Sequence, residues 1–157
     1  MVHSTHEKSI VCLEDGYNLS GTFPTHIAKL HNLTSLSLRD NRFRGPLPLE
    51  LASMSNLEVL RLNRNGFSGT MPSEWAAFTS IVHLDIAWNE LTGTLLPNMG
   101  SLRNLEKFWI DHNQFSGSVP VDISSLTKLS KFCRCSARVL VPGARQGPTL
   151  SLFFSHF

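Results

Sequence analysis

The chain has 157 residues, of which 41% are hydrophobic and 17% charged, and its formal net charge is +2. This composition is that of one globular domain and excludes a wholly disordered chain. No run of about eighteen apolar residues is present, so we expect no membrane-spanning segment in this chain. The N-terminal sequence MVHSTHEKSIVCLEDG has no apolar core, so we expect no secretory signal peptide in it.

The charge is unevenly placed along the chain. Residues 1–122 carry nine basic and twelve acidic side chains, a net charge of −3, whereas residues 123–157 carry five basic side chains and no acidic ones. The pI of 8.6 therefore comes from the C-terminal tail. Because residues 1–122 are acidic on balance, we do not expect a nucleic-acid partner.

The three cysteines, Cys12, Cys133 and Cys135, are too few and unevenly spaced for a disulfide framework. Cys133 and Cys135 form a lone C-x-C, and the second ligand pair of a structural zinc site is absent. We therefore expect no metal and no cofactor. The thiols are expected to be unpaired, or one of them to pair outside the chain.

A repeat with a period of 24 residues runs through most of the chain. Glycine recurs at this spacing, with Asn four residues before it and Pro three residues after it in most units. These columns are Gly21, Gly45, Gly69, Gly93 and Gly117; Asn41, Asn65, Asn89 and Asn113; and Pro24, Pro48, Pro72 and Pro120, with a slip to Pro97 in the fourth unit. Full units are predicted at 30–53, 54–77, 78–101 and 102–125, with partial units at 6–29 and 126–132. We expect a solenoid over 17–132, after a degenerate segment at 1–16 and before a non-repeat tail at 133–157.

Each unit contains one short strand. Leu36 and Leu38 alternate with polar residues, and this period of two predicts a strand with one buried face. One strand per unit implies parallel neighbours in a coil. The Asn amide is suited to satisfy backbone groups where the chain turns inward, and the Gly permits the tight path behind it. Apolar residues of the back wall are expected to be Leu51, Trp75, Met99 and Ile123.

These residues resemble the plant-type leucine-rich repeat family, whose unit is L-x-x-L-x-x-L-x-L-x-x-N-x-L-x-G-x-I-P. From Leu57 the chain reads LEVLRLNRNGFSGTMPSEW, and from Leu105 it reads LEKFWIDHNQFSGSVPVDI. The resemblance implies an α/β-type repeat solenoid, the leucine-rich repeat horseshoe with a parallel β-sheet on its concave face. It also implies a place among receptor-like kinases, receptor-like proteins or secreted inhibitors.

The chain departs from this family at its ends. Ectodomains of the family usually begin and end with cysteine-bearing caps. Cys12 corresponds to a remnant of the first cap, whereas the spacing of the C-R-C segment does not match the second. The motifs of a kinase domain are absent from the sequence. The resemblance therefore implies a piece of an ectodomain or a short stand-alone relative.

The candidate ligand site is the outward face of the predicted strands. Trp88 and Trp109 lie there on adjacent units, one unit after Arg61 and Arg64, and Trp and Arg dominate many protein interfaces. The predicted ligand-binding set is Trp88, Trp109, Arg61, Arg64, His83, Asp85, Asp111 and His112.

These residues also have two alternative interpretations. Trp88, at a strand end, could instead fold over a neighbouring side chain and shield the core. The arginines could form a solvated surface balanced by Asp40, Asp85 and Asp111. Some peptide receptors of the family hold a terminal carboxylate with an R-x-R pair; Arg61 matches its first position, but Asn63 replaces the second.

The sequence favours a binding module over an enzyme. His83 and Asp85 share a strand face and Asp111 and His112 lie nearby, but no nucleophile in a strained turn accompanies them. We therefore expect recognition of a protein or peptide ligand on the concave face, with a co-receptor as a further partner, in signalling or defence. The alternatives are an intracellular scaffold, or a secreted inhibitor of a wall-degrading enzyme.

The family resemblance implies the cell surface, whereas the missing signal peptide favours the cytoplasm. Asn18-Leu-Ser and Asn32-Leu-Thr are acceptor sequences for N-glycans if the chain enters the secretory pathway. The tail after Phe132 has two interpretations. It is the product of a truncated gene model, or a real tail whose apolar side chains Leu150, Leu152, Phe153 and Phe154 cover the last coil.

Overall fold

The structure, a computed structural model, describes residues 9–12, 16–133 and 139–140. Cys135 and the four apolar tail residues predicted to cover the last coil lie outside these ranges. Within them the chain winds as a series of stacked coils, each made of a strand, an inward turn, a second short strand in most coils and a short 3₁₀ helix.

One strand of each coil joins a six-stranded parallel sheet in which the strands follow one another in chain order. Leu36 pairs with Leu60, Leu60 with Leu84, and Leu84 with Phe108, so equivalent residues of successive coils lie side by side. All four are fully buried, which is the alternation that the sequence predicts. The strands are β1 Ser9–Cys12, β3 Leu33–Ser37, β5 Val59–Arg61, β7 His83–Asp85, β9 Lys107–Trp109 and β11 Lys131–Cys133.

A second set of short parallel strands, which the sequence pattern did not predict, follows the inward turn of each coil. Four of these strands form one sheet and two form another. They are β2 Ser20–Gly21, β4 Arg42–Pro46, β6 Gly66–Gly69 and β8 Glu90–Leu91, then β10 Gly117–Ser118 and β12 Val139–Leu140. Strands as short as two residues have too little alternation to be recognised from hydrophobic pattern.

The coil continues past the predicted end of the repeats. Gly117 pairs with Val139 at the same sequence offset as Gly21 with Phe43 and Gly45 with Phe67. Strands β1 and β12 therefore lie outside 17–132 and extend the two kinds of sheet at opposite ends. Cys12 and Cys133 belong to the two edge strands of the six-stranded sheet, which lie about 24 Å apart at the usual strand spacing.

The back of each coil is a 3₁₀ helix. The helices are Thr25–Lys29, Leu49–Ser53, Ser73–Ala77, Met99–Ser101 and Val121–Ser125. Proline precedes four of them with φ between −57° and −75°. The fourth helix is the shortest, in the unit where Pro97 has slipped by one position and Asn98 takes the capping place. Leu51, Trp75 and Met99 are fully buried behind the sheet, and Ile123 is partly buried against the same core.

The asparagine column forms a ladder of hydrogen bonds inside the turns. Asn89 Oδ1 accepts the backbone N–H of Phe67 at 3.0 Å in the preceding coil. Its Nδ2 donates to the carbonyls of Leu62, Ile86 and Ala87 at 3.1–3.2 Å. One side chain thus satisfies one N–H and two carbonyls of the inward turns. The third carbonyl, that of Ala87, also accepts the backbone N–H of Arg64 at 3.0 Å. Equivalent bonds are made by Asn41, Asn65 and Asn113.

The residue before each ladder asparagine has a left-handed backbone. Asp40, Arg64, Trp88 and His112 have φ of 55°, 55°, 56° and 52°. This conformation is uncommon for bulky residues, and here it recurs in every full coil because the turn geometry requires it. Gly93 shows why the glycine column needs glycine: its φ is 77°, and a Cβ would lie 2.8 Å from the Thr70 methyl group.

Candidate functional site

The outward side of the six-stranded sheet carries rows of side chains, one from each coil. We call Arg61, Asp85 and Trp109 the middle row, because Arg61 pairs with Asp85 and Asp85 with Trp109 in the sheet register. We call Asp40, Arg64, Trp88 and His112 the strand-end row. The predicted ligand-binding residues lie in these two rows, except His83 and Asp111, which lie beside them.

Two small residues next to these rows are buried. Ser37 and Ala87 are 3% and 5% exposed. Ser37 pairs in register with the longer Arg61, and Ala87 lies beside Trp88. Neither residue is therefore exposed enough to contact a ligand.

The strand-end row is a continuous series of contacts. Asp40 Oδ2 accepts a hydrogen bond from Arg39 Nε at 3.0 Å, and its Oδ1 lies 3.5 Å from Arg64 Nη1. The Arg64 guanidinium carbon lies 5.7 Å from the centre of the Trp88 ring, a cation–π distance. Trp88 stacks on His112 with ring centroids 3.5 Å apart and an interplanar angle of 10°.

Trp88 therefore contacts side chains of the coils before and after it. It remains 47% exposed. Because Arg64 and His112 approach its ring from neighbouring coils, the rim of the indole is its accessible part. His112 is in turn held by Asp111, whose Oδ2 lies 2.9 Å from its Nδ1.

The middle row is organised differently, because its charged groups are not paired with each other. Within the described part of the chain, no ion pair joins Arg61 to Asp85 or to any other carboxylate within 4.0 Å. Arg61 is exposed, whereas Asp85 and Trp109 are partly buried. The His83 ring meets Trp109 nearly edge-on, with centroids 6.4 Å apart and an angle of 80°.

Burial changes the proton affinity of two groups on this face. Partial burial raises the pKa of Asp85 to about 6, and the nearby Asp111 carboxylate adds to the rise; the Ala87 N–H, bonded at 3.1 Å, and the Arg61 and Arg39 charges oppose it. Burial also lowers the pKa of His83, assisted by Lys107 and Arg61 and opposed by Glu106. At neutral pH the site therefore holds an ionised but poorly solvated carboxylate beside a neutral imidazole.

This carboxylate predicts a pH-dependent gain of stability on replacement. Because burial raises the pKa of Asp85 in the folded protein from 3.8 to about 6, the ionised carboxylate destabilises the fold fully above about pH 6. Below about pH 4 Asp85 is protonated in both the folded and the unfolded protein, and this destabilisation is absent. Asp85→Asn should therefore raise the free energy of unfolding by about 1 kcal/mol at pH 7, after discounting for solvent screening. At pH 4 the gain should disappear.

Urea unfolding at the two pH values measures this gain. Asp40→Asn is the control, since Asp40 is paired with two arginines and its replacement should not stabilise the protein. An Asp85→Asn variant that is no more stable than the parent at pH 7 would contradict the burial argument.

Some residues of the site had no signal in the sequence. The Oδ1 atom of Asn63, between the two rows, is buried and has no hydrogen-bond partner within the described residues.

The predicted glycan acceptors Asn18 and Asn32 are both exposed. Among the described residues no cluster of three or more His, Cys, Asp or Glu side chains could hold a metal ion. The helices found in that same part of the chain are too short to cross a bilayer.

Stacked coils with a parallel sheet on one side, short helices on the other and an asparagine ladder between them define the class as a repeat-built binding solenoid. The Leucine Rich Repeat family model matches residues 32–54, 56–78, 80–102 and 104–126. The chain belongs to the leucine-rich repeat family, in its plant-type class. No match was found among curated proteins.

Solved structures similar to this chain are ectodomains of plant receptors. The ectodomain of the receptor kinase SOBIR1 from Arabidopsis thaliana is 31% identical, with 87% of this chain and 74% of that chain covered and a TM-score of 0.78. The Arabidopsis receptor kinase HAESA, in complex with the peptide hormone IDA and the co-receptor SERK1, is 27% identical over 85% of this chain, with a TM-score of 0.79. The plant peptide hormone receptor RGFR1, in complex with RGF2, is 29% identical over 77% of this chain, with a TM-score of 0.72.

The present chain is much shorter than the last two receptors. It spans 23% of the HAESA chain and 19% of the RGFR1 chain.

Proposed function

We propose that this chain recognises a protein or peptide ligand on the outward face of its six-stranded sheet, as part of the extracellular region of a receptor-like protein. An extended ligand would lie across the strands and contact the middle row. The similarity to SOBIR1, and to two receptors solved with peptide ligands, supports both the mode of recognition and the receptor context. The co-receptor in the HAESA complex supports a second protein as a further partner.

The strongest support within the chain comes from the contrast between two tryptophans. Trp75 is fully buried in the back wall, and its Nε1 donates to the Pro48 carbonyl at 3.0 Å. Trp109 lies on the sheet face, is only partly buried, and its Nε1 has no acceptor within the described residues. A large aromatic ring with a spare donor on an open face is the usual chemistry of an interface anchor.

Replacing Trp109 by alanine should strongly weaken ligand binding and leave the fold intact. A displayed library of random peptides, selected against the parent chain, supplies the probes. The selected peptides should bind Trp109→Ala at least about 30-fold more weakly, the effect of losing an anchor worth about 2 kcal/mol. Titration of each variant with the same labelled peptides measures this loss.

Val121→Ala is the matched control, since Val121 is 81% exposed on the helical side of the coil. Its affinity for the selected peptides should not change. Trp88→Ala should weaken binding less than Trp109→Ala, because both neighbours of Trp88 already contact its ring. Unchanged affinity in Trp109→Ala would place the ligand elsewhere and refute the proposed site.

The receptor context makes a separate prediction about the natural protein. In its own cells the chain should carry N-glycans at Asn18 or Asn32, so its intact mass should fall when N-glycans are removed. A mass well above 17.5 kDa after glycan removal would agree with a longer receptor. Asn18→Gln combined with Asn32→Gln should remove the shift. An unmodified 17.5 kDa species would instead favour the intracellular scaffold.

A further inference from the structure

We propose that Arg61 and Asp85 select a ligand with two opposite charges, an acidic side chain bound by Arg61 and a basic side chain bound by Asp85 against the ring face of Trp109. This inference rests on the proposed function and adds the chemistry of the ligand to it. The site consists of three unlike groups, each from a successive strand of the sheet.

The register of the sheet places these groups side by side. Arg61, Asp85 and Trp109 are direct partners on β5, β7 and β9, so neighbouring members lie about 5 Å apart at the backbone. Residues on one side of an extended peptide recur every second position, about 6.6 Å apart. An acidic and a basic residue two positions apart in the ligand therefore match Arg61 and Asp85.

The charges of the middle row are left without internal partners, in contrast to those around them. Arg39 and Arg64 both contact Asp40, and His112 contacts Asp111. Arg61 has no ion pair within the described residues, and the hydrogen bond seen at the Asp85 carboxylate comes from the backbone N–H of Ala87. A ligand that supplies both opposite charges would pair groups that the fold itself leaves unpaired.

The surroundings of Asp85 favour a cation over an anion in the ligand. Its carboxylate is partly buried and lies near a second carboxylate, Asp111, whose side chain is only 14% exposed. Both features make a cation the favourable partner, and an ammonium or guanidinium beside Trp109 gains a cation–π contact as well. Arg61, exposed and planar, is suited to a two-pronged bond with a carboxylate.

The test uses a displayed library of random peptides, selected in parallel against the parent chain, Asp85→Asn and Arg61→Gln. Peptides selected on the parent chain should be enriched in an acidic and a basic residue two positions apart. Selection on Asp85→Asn should lose the basic residue and keep the acidic one, and selection on Arg61→Gln should do the reverse. Individual peptides should bind each variant about tenfold more weakly than the parent.

A charge exchange separates this inference from a general loss of binding. Replacing the basic residue of a selected peptide by Glu should weaken the binding of that peptide to the parent chain. The same peptide should regain its affinity with the Asp85→Lys variant. Peptides enriched on the parent chain without paired charges, or with a basic residue that survives Asp85→Asn, would overturn the inference and leave the proposed function standing. If no peptide is enriched on the parent chain above Trp109→Ala, both are refuted.

The pH dependence provides an independent readout. Affinity for a basic peptide should fall as the pH drops through about 6, because protonation of Asp85 removes its charge. The charged groups that act on Asp85 are Arg61 on β5, Asp111 after β9 and Arg39 after β3. His83 lies on the same strand as Asp85, and Lys107 on β9 acts on His83. Protonation of His83 at acidic pH would add repulsion, so Asp85→Asn should retain a weaker pH dependence. An unchanged pH dependence would contradict the assignment to Asp85.

Discussion

Replacing Trp75 by alanine should lower the free energy of unfolding by about 4 kcal/mol. Its side chain is completely buried, packs against Phe78 with ring centroids 5.4 Å apart, and donates a hydrogen bond to Pro48 in the preceding coil. The replacement opens a cavity in the back wall and leaves the Pro48 carbonyl without its donor. Urea unfolding followed by circular dichroism measures the loss.

Trp109→Ala is the control with the same chemical change. It should cost no more than about 1 kcal/mol, because Trp109 is partly exposed and its indole N–H bonds no described residue. Trp75→Phe should fall between the two, since it keeps a ring in the core and loses only the hydrogen bond and part of the volume. Equal losses for Trp75→Ala and Trp109→Ala would show that the two tryptophans do not have the different roles described above.

Replacing Asn89 by alanine should cost about 3 kcal/mol, the second largest loss of stability. The Asn89 amide accepts from Phe67 N–H and donates to three carbonyls in two adjacent coils. The side chain is only 9% exposed, so water cannot replace these bonds without opening the turn. Leaving a buried backbone group unsatisfied costs about 1–3 kcal/mol, and the bonds of one side chain do not add fully.

Asn98→Ala is the matched control for the ladder. Asn98 is exposed and makes no side-chain capping hydrogen bond with the helix it precedes, so its loss should change stability by less than about 0.5 kcal/mol. Asn89→Asp keeps the acceptor for Phe67 but loses the donors, and should be at least as damaging because the new carboxylate is buried. A small loss for Asn89→Ala, comparable to that for Asn98→Ala, would mean that water or relaxed turns satisfy the same backbone groups.

These expected results divide the molecule into a part that stabilises the coil and a part that is open to a partner. Trp75 and Asn89 connect successive coils, so their replacement should lower the free energy of unfolding. Asp85 and Trp109 lie on the sheet face, so their replacement should weaken ligand binding. Replacing Asp85 should also raise the free energy of unfolding. A side chain whose removal stabilises the fold is the usual sign of a trade between stability and function.

The repeating architecture was predictable because its causes are local in the sequence. Alternation of Leu36 and Leu38 with polar residues defines a strand with a buried face, and the 24-residue spacing of Gly and Asn requires equivalent strands to lie side by side. The same spacing places Arg61, Asp85 and Trp109 at equivalent positions of successive units. The family and the parallel sheet follow from these columns.

The chemistry of the face was decided by tertiary structure, because it depends on contacts between different coils. The stack of Arg64, Trp88 and His112 joins residues from three coils whose left-handed backbones aim the side chains along one edge. The raised pKa of Asp85 comes chiefly from burial, which cannot be predicted from the residues next to it in the sequence. The short second strands likewise exist only where adjacent coils pair. Sequence by itself determined the coil and its columns, because period and turn chemistry are properties of neighbouring residues. Packing between coils decided which of the outward side chains contact one another and which do not.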